Sequence, residues 1–131
     1  GPLLRPASCL LLCLMNRNAL WERASHLLRG QFPSAFRRAH SGGVEAPVGK
    51  GRVLVWYYTL AECARMLPPD FRYLGGFGLS ICAPPPNAEG FINRFPAFTD
   101  RLLRLEERIR VRRPWNSLGD HFVLEAERRT V

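Results

Sequence analysis

His121 and Asp120 are adjacent side chains whose types could support acid–base chemistry. A histidine oriented by a carboxylate acts as a general base when a serine or cysteine nucleophile lies within hydrogen-bonding distance. The other histidines, His26 and His40, fall in an N-terminal segment with a different character, and no serine or cysteine has a recognisable partner base. We therefore expect a structural role for His121, no catalytic residue and no enzymatic activity.

The four cysteines could in principle bind a metal ion or form a disulfide. Cys9 and Cys13 lie four residues apart in a leucine-rich stretch, and no cysteine belongs to a Cys-x-x-Cys pair or has a histidine at metal-binding spacing. Cys63 and Cys82 could pair in an oxidising compartment, but buried free thiols are favoured because cysteine is among the most buried residue types. The sequence predicts no metal and no cofactor, and it leaves this pairing open.

Two glycine-rich segments could be mistaken for phosphate-binding loops. Five residues separate Gly43 from Gly49 where a P-loop has four, and Gly51 stands where serine or threonine would bind magnesium. The glycines within residues 71–83 lack the third position of a dinucleotide fingerprint. They instead permit a helix or another chain to approach this backbone closely.

The basic residues set limits on the class of partner. The net charge is +8, and all but one of the 19 basic residues are arginine. Residues 1–40 carry a net charge of +5 and residues 41–131 only +3. A protein that neutralises phosphates is expected to keep its basic excess in the folded part, so RNA is the less favoured partner. The run Arg108, Arg110, Arg112 and Arg113 indicates either a solvated face or a contact with rRNA or anionic lipid.

Residues 53–67 are the first of two segments whose apolar residues recur at helical spacing. The stripe comprises Val53, Trp56, Leu60, Cys63 and Leu67, and Pro68 ends the segment. Fifteen residues that include charged side chains are too few to span a bilayer, which requires about 20 apolar residues. The pattern predicts an amphipathic helix that lies on a partner or on a membrane surface.

Residues 97–112 show the clearest helical pattern. Their apolar stripe comprises Phe98, Leu102, Leu105 and Ile109. Asp100–Arg104 and Glu106–Arg110 have the spacing of ion pairs within a helix. After Pro114, the residues from Ser117 onward resemble a capping box and predict a last short helix through Arg129.

Residues 1–40 have the pattern of a mitochondrial import leader, since they are rich in arginine, poor in acidic residues and amphipathic. Leu20, Leu27 and Leu28 share one helical face, and Gly30 is placed to end that helix. We expect cleavage between His40 and Ser41, or retention of the leader as a docked helix. The alternative interpretations are a surface helix of an ordinary basic protein and, less favoured, a secretory signal.

The composition indicates a chain that folds against partners. Eleven glycines and eleven prolines in 131 residues exceed the usual share of roughly 12% and interrupt regular elements. We expect a mainly α fold of three or four short helices linked by Pro/Gly-rich extended segments, without an independent compact domain. The expected organisation is a leader over residues 1–40, a flexible arm over 41–52 and a small helical accessory subunit over 53–131.

Residues 109–122, which read IRVRRPWNSLGDHF, resemble the C-terminal part of cytochrome c oxidase subunit VIa. That family has an Ile-Arg pair, then Pro-Trp, then a Gly-Asp segment with histidine; here Asn116 follows Trp115 where the family has glycine. The resemblance implies an accessory subunit of complex IV in the inner mitochondrial membrane. Residues 71–77 are also similar to a segment of a small membrane-arm accessory subunit of complex I.

Together these patterns predict a non-catalytic accessory subunit of a mitochondrial inner-membrane respiratory complex, peripheral or with a single span, and the resemblance implies that this complex is complex IV. The alternatives are a complex I accessory subunit and a mitochondrial ribosomal protein. The expected partners are protein subunits of a large complex, with lipid contact at the membrane and RNA less favoured. The candidate partner-contact residues are Trp56, Leu60, Phe77, Phe98, Leu102, Leu105, Ile109, Arg110, Arg113, Trp115 and His121.

Overall fold

The computed structural model describes residues 7–40, 42–84 and 88–129. In chain order the elements are β1 (Cys9–Met15), α1 (Leu20–Leu28), α2 (Phe32–Ala35), β2 (Val44–Val48), β3 (Gly51–Val55), α3 (Leu60–Arg65), β4 (Phe71–Leu79), α4 (Glu89–Arg94), α5 (Pro96–Ile109) and β5 (His121–Arg128). Short 3₁₀ turns lie at Arg37–Ala39 and Trp115–Ser117. The strands form a three-stranded antiparallel sheet in the order β1-β5-β4 and a separate hairpin, β2-β3.

The expectation of a mainly α fold is wrong. The chain is mixed α/β, with 38% helical and 30% strand residues. The largest error lies at the C-terminus, where a helix was expected and β5 is found. Phe122, Leu124 and Ala126 alternate with more exposed residues and are themselves fully buried. This two-residue period is that of a strand with one face in the core, and it outweighs the capping-box pattern that precedes it.

The core lies between one face of the three-stranded sheet and α3. Leu60 and Cys63 of α3 pack with the buried side chains of β5, and leucines of β1 close the side of this cluster. Gly76 of β4 faces α3 so closely that an added Cβ would lie 2.7 Å from a methyl group of Leu60. The glycines of residues 71–83 permit such an approach, and at Gly76 the neighbour is helix α3.

The segment expected to be a flexible arm followed by a helix forms the β2-β3 hairpin. Val48 pairs with Gly51 across a two-residue loop, and Gly49 in that loop has a φ of +58°, which glycine adopts without steric cost. The helix begins only at Leu60. Thr59 caps it by accepting the backbone N–H of Glu62, whose carboxylate in turn accepts the backbone N–H of Thr59.

Residues expected to form an import leader take part in the same fold. All seven residues of β1 pair with β5, and the backbone N–H of Arg17 donates to the carbonyl of Tyr58. The expected amphipathic helix is present as α1, and Gly30 follows it with a φ of +70°. The expected cleavage point after His40 borders Ser41, which lies outside the described residues, so the leader remains a prediction.

Candidate functional site

Helix α5 is anchored to the body of the protein by a buried acidic side chain. The carboxylate of Glu106 accepts four backbone N–H groups that follow β4, those of Ser80 (2.7 Å), Ile81 (3.0 Å), Cys82 (3.1 Å) and Ala83 (2.9 Å). Such charge-assisted bonds are the stronger kind, and they satisfy donors that would otherwise be buried without partners. Glu106 therefore fixes which side of α5 faces inward.

The inward side of α5 is partly polar, because Thr99 joins Glu106 as a buried residue. The apolar stripe predicted from the sequence is consequently turned outward. Phe98 is 51% exposed and Leu105 is 46% exposed, while Leu102 and Ile109 are half-buried at the edge of the contact.

The two ion pairs expected within α5 are absent from the described residues. Glu106 is bound to backbone N–H groups, and Arg110 instead pairs with Glu107 at 3.1 Å. Neither Asp100 nor Arg104 forms an ion pair within 4.0 Å among the described residues.

Three arginines lie beside the outward apolar stripe. At 3.6 residues per turn, Arg101, Arg104 and Arg108 project next to Phe98 and Leu105. All three are exposed and make no ion pair with any residue of the described ranges. The acidic residues Asp100 and Glu107 lie beyond Arg104 around the helix, followed by Leu103. We call Phe98, Arg101, Arg104, Leu105 and Arg108 the α5 surface.

Aromatic rings extend the apolar part of the α5 surface beyond its N-terminus. The ring centroid of Phe91 in α4 lies 5.4 Å from that of Phe95 and 6.2 Å from that of Phe98, in tilted and edge-on arrangements that aromatic pairs prefer. Phe95 is itself exposed. A partner that covers Phe98 would therefore also meet an apolar rim.

The C-terminal end of α5 packs on the outer face of β4. The guanidinium of Arg110 lies 5.3 Å from the ring centroid of Phe77, and its backbone carbonyl accepts the N–H of Gly78. Tyr73 lies on the same strand. Burial raises the pKa of its hydroxyl, the positive charge of Arg113 lowers this pKa, and the negative charge of Glu125 raises it. Arg110 and Phe77 are thus internal contacts as well as partner-contact candidates.

The remaining candidates are dispersed over the molecule. Trp115, in the turn before β5, and Arg113 are exposed, and so is Trp56 after β3, far along the chain from α5. Leu60 was expected to contact a partner but belongs to the core. Residues 53–67, expected to form one helix, divide between β3 and α3, and α3 packs on the sheet.

His121 pairs with its neighbour Asp120, with 2.9 Å between Nδ1 and Oδ2. The same carboxylate accepts a 2.9 Å contact from the guanidinium of Arg38, which also binds Glu22 and lies 4.7 Å from the ring centroid of Tyr57. Arg38 thus binds residues far apart in the sequence, and Asp120 is occupied by ion pairing. The sequence analysis missed this cluster. It assigned Arg38 to an import leader, and no local pattern links Arg38 to Asp120.

A cavity of about 610 Å³ opens beside this cluster, between α1 and α4. Trp21 and Phe91 form part of its wall, and Arg29 and Arg37 contribute charge. In the described part of the chain, no three histidine, cysteine or acidic residues are grouped so that they could bind a metal ion.

All four cysteines are free thiols. Burial raises the pKa of Cys63, with a further contribution from the charge of Glu62, and burial likewise raises the pKa of Cys82, with a contribution from Glu106. Cys9 and Cys13 are exposed on one face of β1. The interpretation of Cys63 and Cys82 as free thiols agrees with this arrangement.

Comparison with models of known protein families finds no match, and comparison with curated proteins finds no significant similarity. Among residues 7–40, 42–84 and 88–129, no helix has both the length and the apolar character needed to cross a membrane.

Proposed function

We propose that this chain is a non-catalytic accessory subunit of a mitochondrial inner-membrane respiratory complex and that it docks peripherally on other protein subunits through the α5 surface. The observation that supports this most strongly is the orientation of α5. Its buried positions include Thr99 and Glu106, whereas Phe98 and Leu105 face outward. Apolar side chains that are exposed on a firmly anchored helix are typical of a surface that a partner covers.

The charge of the α5 surface favours an acidic protein partner. Arg101, Arg104 and Arg108 lie beside the apolar residues and form no ion pair within the described residues, whereas Asp100 and Glu107 lie beyond Arg104, farther around the helix from Phe98 and Leu105. Arginine is enriched at protein interfaces because its planar guanidinium binds carboxylates with two hydrogen bonds.

The proposed compartment rests on the arginine-rich, amphipathic N-terminal segment, and the choice of complex IV rests on the resemblance of residues 109–122 to subunit VIa. No described helix is long and apolar enough to cross a membrane, and the proposed attachment is peripheral, through the α5 surface. Since β1 and Arg38 contribute to the fold, we further propose that residues 1–40 are retained after import.

Native-gel separation of detergent-solubilised mitochondria, with mass spectrometry of each band, tests this proposal. Peptides of this chain, including peptides from residues 18–37, should co-migrate with cytochrome c oxidase. Co-migration with complex I would move the assignment to that complex. Recovery only as a free monomer would contradict the accessory-subunit proposal.

A mitochondrial ribosomal protein is the second candidate, and the exposed arginines of α5 are the observation that favours it. Phosphate contacts predict binding that weakens steeply as salt concentration rises. Arg104→Gln and Arg108→Gln should then each reduce the salt dependence of RNA binding by about one unit of slope. Recovery of the chain in ribosomal fractions at low salt and its release at high salt would favour this candidate over the first.

A further inference from the structure

Strand β1 is an edge strand of the three-stranded sheet. One side of it pairs with β5 along all seven residues, from Cys9 opposite Glu127 to Met15 opposite His121. On its other side, no strand of residues 7–40, 42–84 and 88–129 is paired with it along this length. An isolated bridge between Asn16 and Tyr58 marks the end of this open edge.

The hydrogen bonds at both ends of β1 show which backbone groups face outward. Ser8 accepts the backbone N–H of Arg128, and the N–H of Asn16 donates to the carbonyl of Asp120. In an antiparallel pair, hydrogen-bonded positions alternate along each strand. The even-numbered residues between these two therefore bond to β5. The N–H and C=O groups of Cys9, Leu11, Cys13 and Met15 point away from β5 and toward the open edge.

This edge lacks the features that usually prevent pairing with another strand. The sequence of β1 contains no charged residue and no proline, and its register on β5 has no bulge. Leu11 is 62% exposed, and Cys9 and Cys13 are exposed on the same face of the sheet.

We propose that the open edge of β1 binds the β1 strand of a second copy of this chain in an antiparallel arrangement, with the two-fold axis at Leu11. In this register Leu11 lies opposite the partner's Leu11, and Cys9 lies opposite the partner's Cys13. Each residue whose N–H and C=O point to the open edge then lies opposite such a residue of the partner. The backbone groups of the two strands can therefore bond to each other. The two sheets then form one continuous six-stranded sheet.

The absence of charged residues from β1 favours a second copy of this chain as the strand that binds to the open edge. Two identical uncharged strands oppose no like charges, and a two-fold interface requires such self-complementarity. A charged strand would find no opposite charge along Cys9–Met15. The interface also uses a different side of the molecule from α5, so failure of one proposal leaves the other standing.

Sedimentation equilibrium of the full chain in reducing buffer tests the dimer. The wild-type protein should have twice the 14.9 kDa chain mass. Leu11→Pro removes an N–H that points to the open edge and is not bonded to β5, so the fold should remain while dimerisation weakens at least tenfold. Leu11→Thr retains that N–H and should remain dimeric. A wild-type monomer, or an undiminished Leu11→Pro dimer with native circular dichroism, would overturn the proposal.

Mixing two cysteine variants tests the register. In a Cys82→Ser background, a mild oxidant should cross-link the protein through Cys9 and the partner's Cys13, because Cα atoms of such a pair lie about 5.5 Å apart, within the range of a disulfide. Cys9→Ser alone and Cys13→Ser alone should give no cross-link, whereas their mixture should give one. Cross-linking of either variant alone, or of neither sample, would contradict a two-fold axis at Leu11.

Discussion

The carboxylate of Glu106 in α5 accepts a 2.7 Å hydrogen bond from the backbone N–H of Ser80, the residue after β4. Three further N–H groups of the same segment bind this carboxylate. A single side chain thus attaches the longest helix to the end of a strand and determines which residues of that helix are exposed. The α5 surface depends on this attachment.

Replacing Glu106 should destabilise the protein. In Glu106→Gln one carboxylate oxygen becomes an NH2 group, which faces backbone N–H groups and leaves them without an acceptor. We therefore expect the free energy of unfolding to fall by about 2–4 kcal/mol. Urea denaturation followed by circular dichroism measures this change. Glu107→Gln alters an exposed neighbour whose partner is Arg110, and it should change stability by less than about 1 kcal/mol. Equal effects of the two variants would contradict the anchoring role.

Two adjacent arginines should differ in their contribution to stability. Arg38 is 12% exposed and binds both Glu22 and Asp120, whereas Arg37 is 43% exposed and binds Glu22 alone. Removing one partner of a buried ion pair leaves an uncompensated charge, so Arg38→Gln should cost about 3 kcal/mol. Arg37→Gln should cost less than about 1 kcal/mol. Thermal unfolding of both variants provides the comparison. A loss for Arg38→Gln no larger than that for Arg37→Gln would show that Arg38 does not hold residues 7–40 in the fold as described.

Acid should weaken the attachment of α3 through Glu62. The backbone N–H of Thr59 lowers the pKa of this carboxyl most, burial opposes the shift, and the Thr59 hydroxyl and Arg17 lower it further. Because the pKa is lower in the folded state, this contribution is present above the ordinary glutamate pKa of about 4.3 and is lost as the pH falls through the folded value. Melting temperatures between pH 3 and 7 should therefore converge for wild type and Glu62→Gln at the acidic end. A constant difference across this range would contradict the prediction.

The four thiols should react at different rates. Cys9 and Cys13 are exposed, whereas burial raises the pKa of Cys63 and reduces its thiolate fraction. At pH 8 a chromogenic disulfide reagent should therefore modify Cys9 and Cys13 first and Cys63 slowest. Four thiols should be counted after unfolding without reductant. A count of two, with Cys9 and Cys13 still reactive, would indicate that Cys63 and Cys82 pair when the protein is isolated.

The sequence predicted those elements whose local pattern agrees with their tertiary environment. Residues 97–112 form α5 (Pro96–Ile109), and Gly30 follows α1, as expected. The strands were missed where two patterns competed. Val53 fits a helical stripe with Trp56, but the Gly49-Lys50 loop pairs it with Ala46 in a hairpin. In β5 the alternation of buried residues was visible in the sequence, and the helical interpretation ignored that period.

The apolar residues of the α5 surface were predicted from the sequence, but Arg101 and Arg104 were not among the candidates and the orientation of the helix was not predictable. Phe98 and Leu105 were identified from their spacing, which cannot reveal that Glu106 would turn that stripe outward. The binding of Glu106 to Ser80 and the residues after it depends on contacts about 25 positions apart, and periodicity carries no information about such contacts. The ion pairs of Arg38 were missed for the same reason.

The most direct test of the proposed docking compares two leucines of α5 that are equally exposed. Leu105 on the α5 surface and Leu103 on the acidic side are both 46% exposed. Tagged Leu105→Asp and Leu103→Asp chains are expressed in cells, and the detergent-solubilised mitochondria of these cells are analysed on native gels. We predict that Leu105→Asp is lost from the respiratory-complex band and that Leu103→Asp co-migrates like the wild type. Retention of Leu105→Asp in that band, or equal loss of both variants, would contradict docking through the α5 surface.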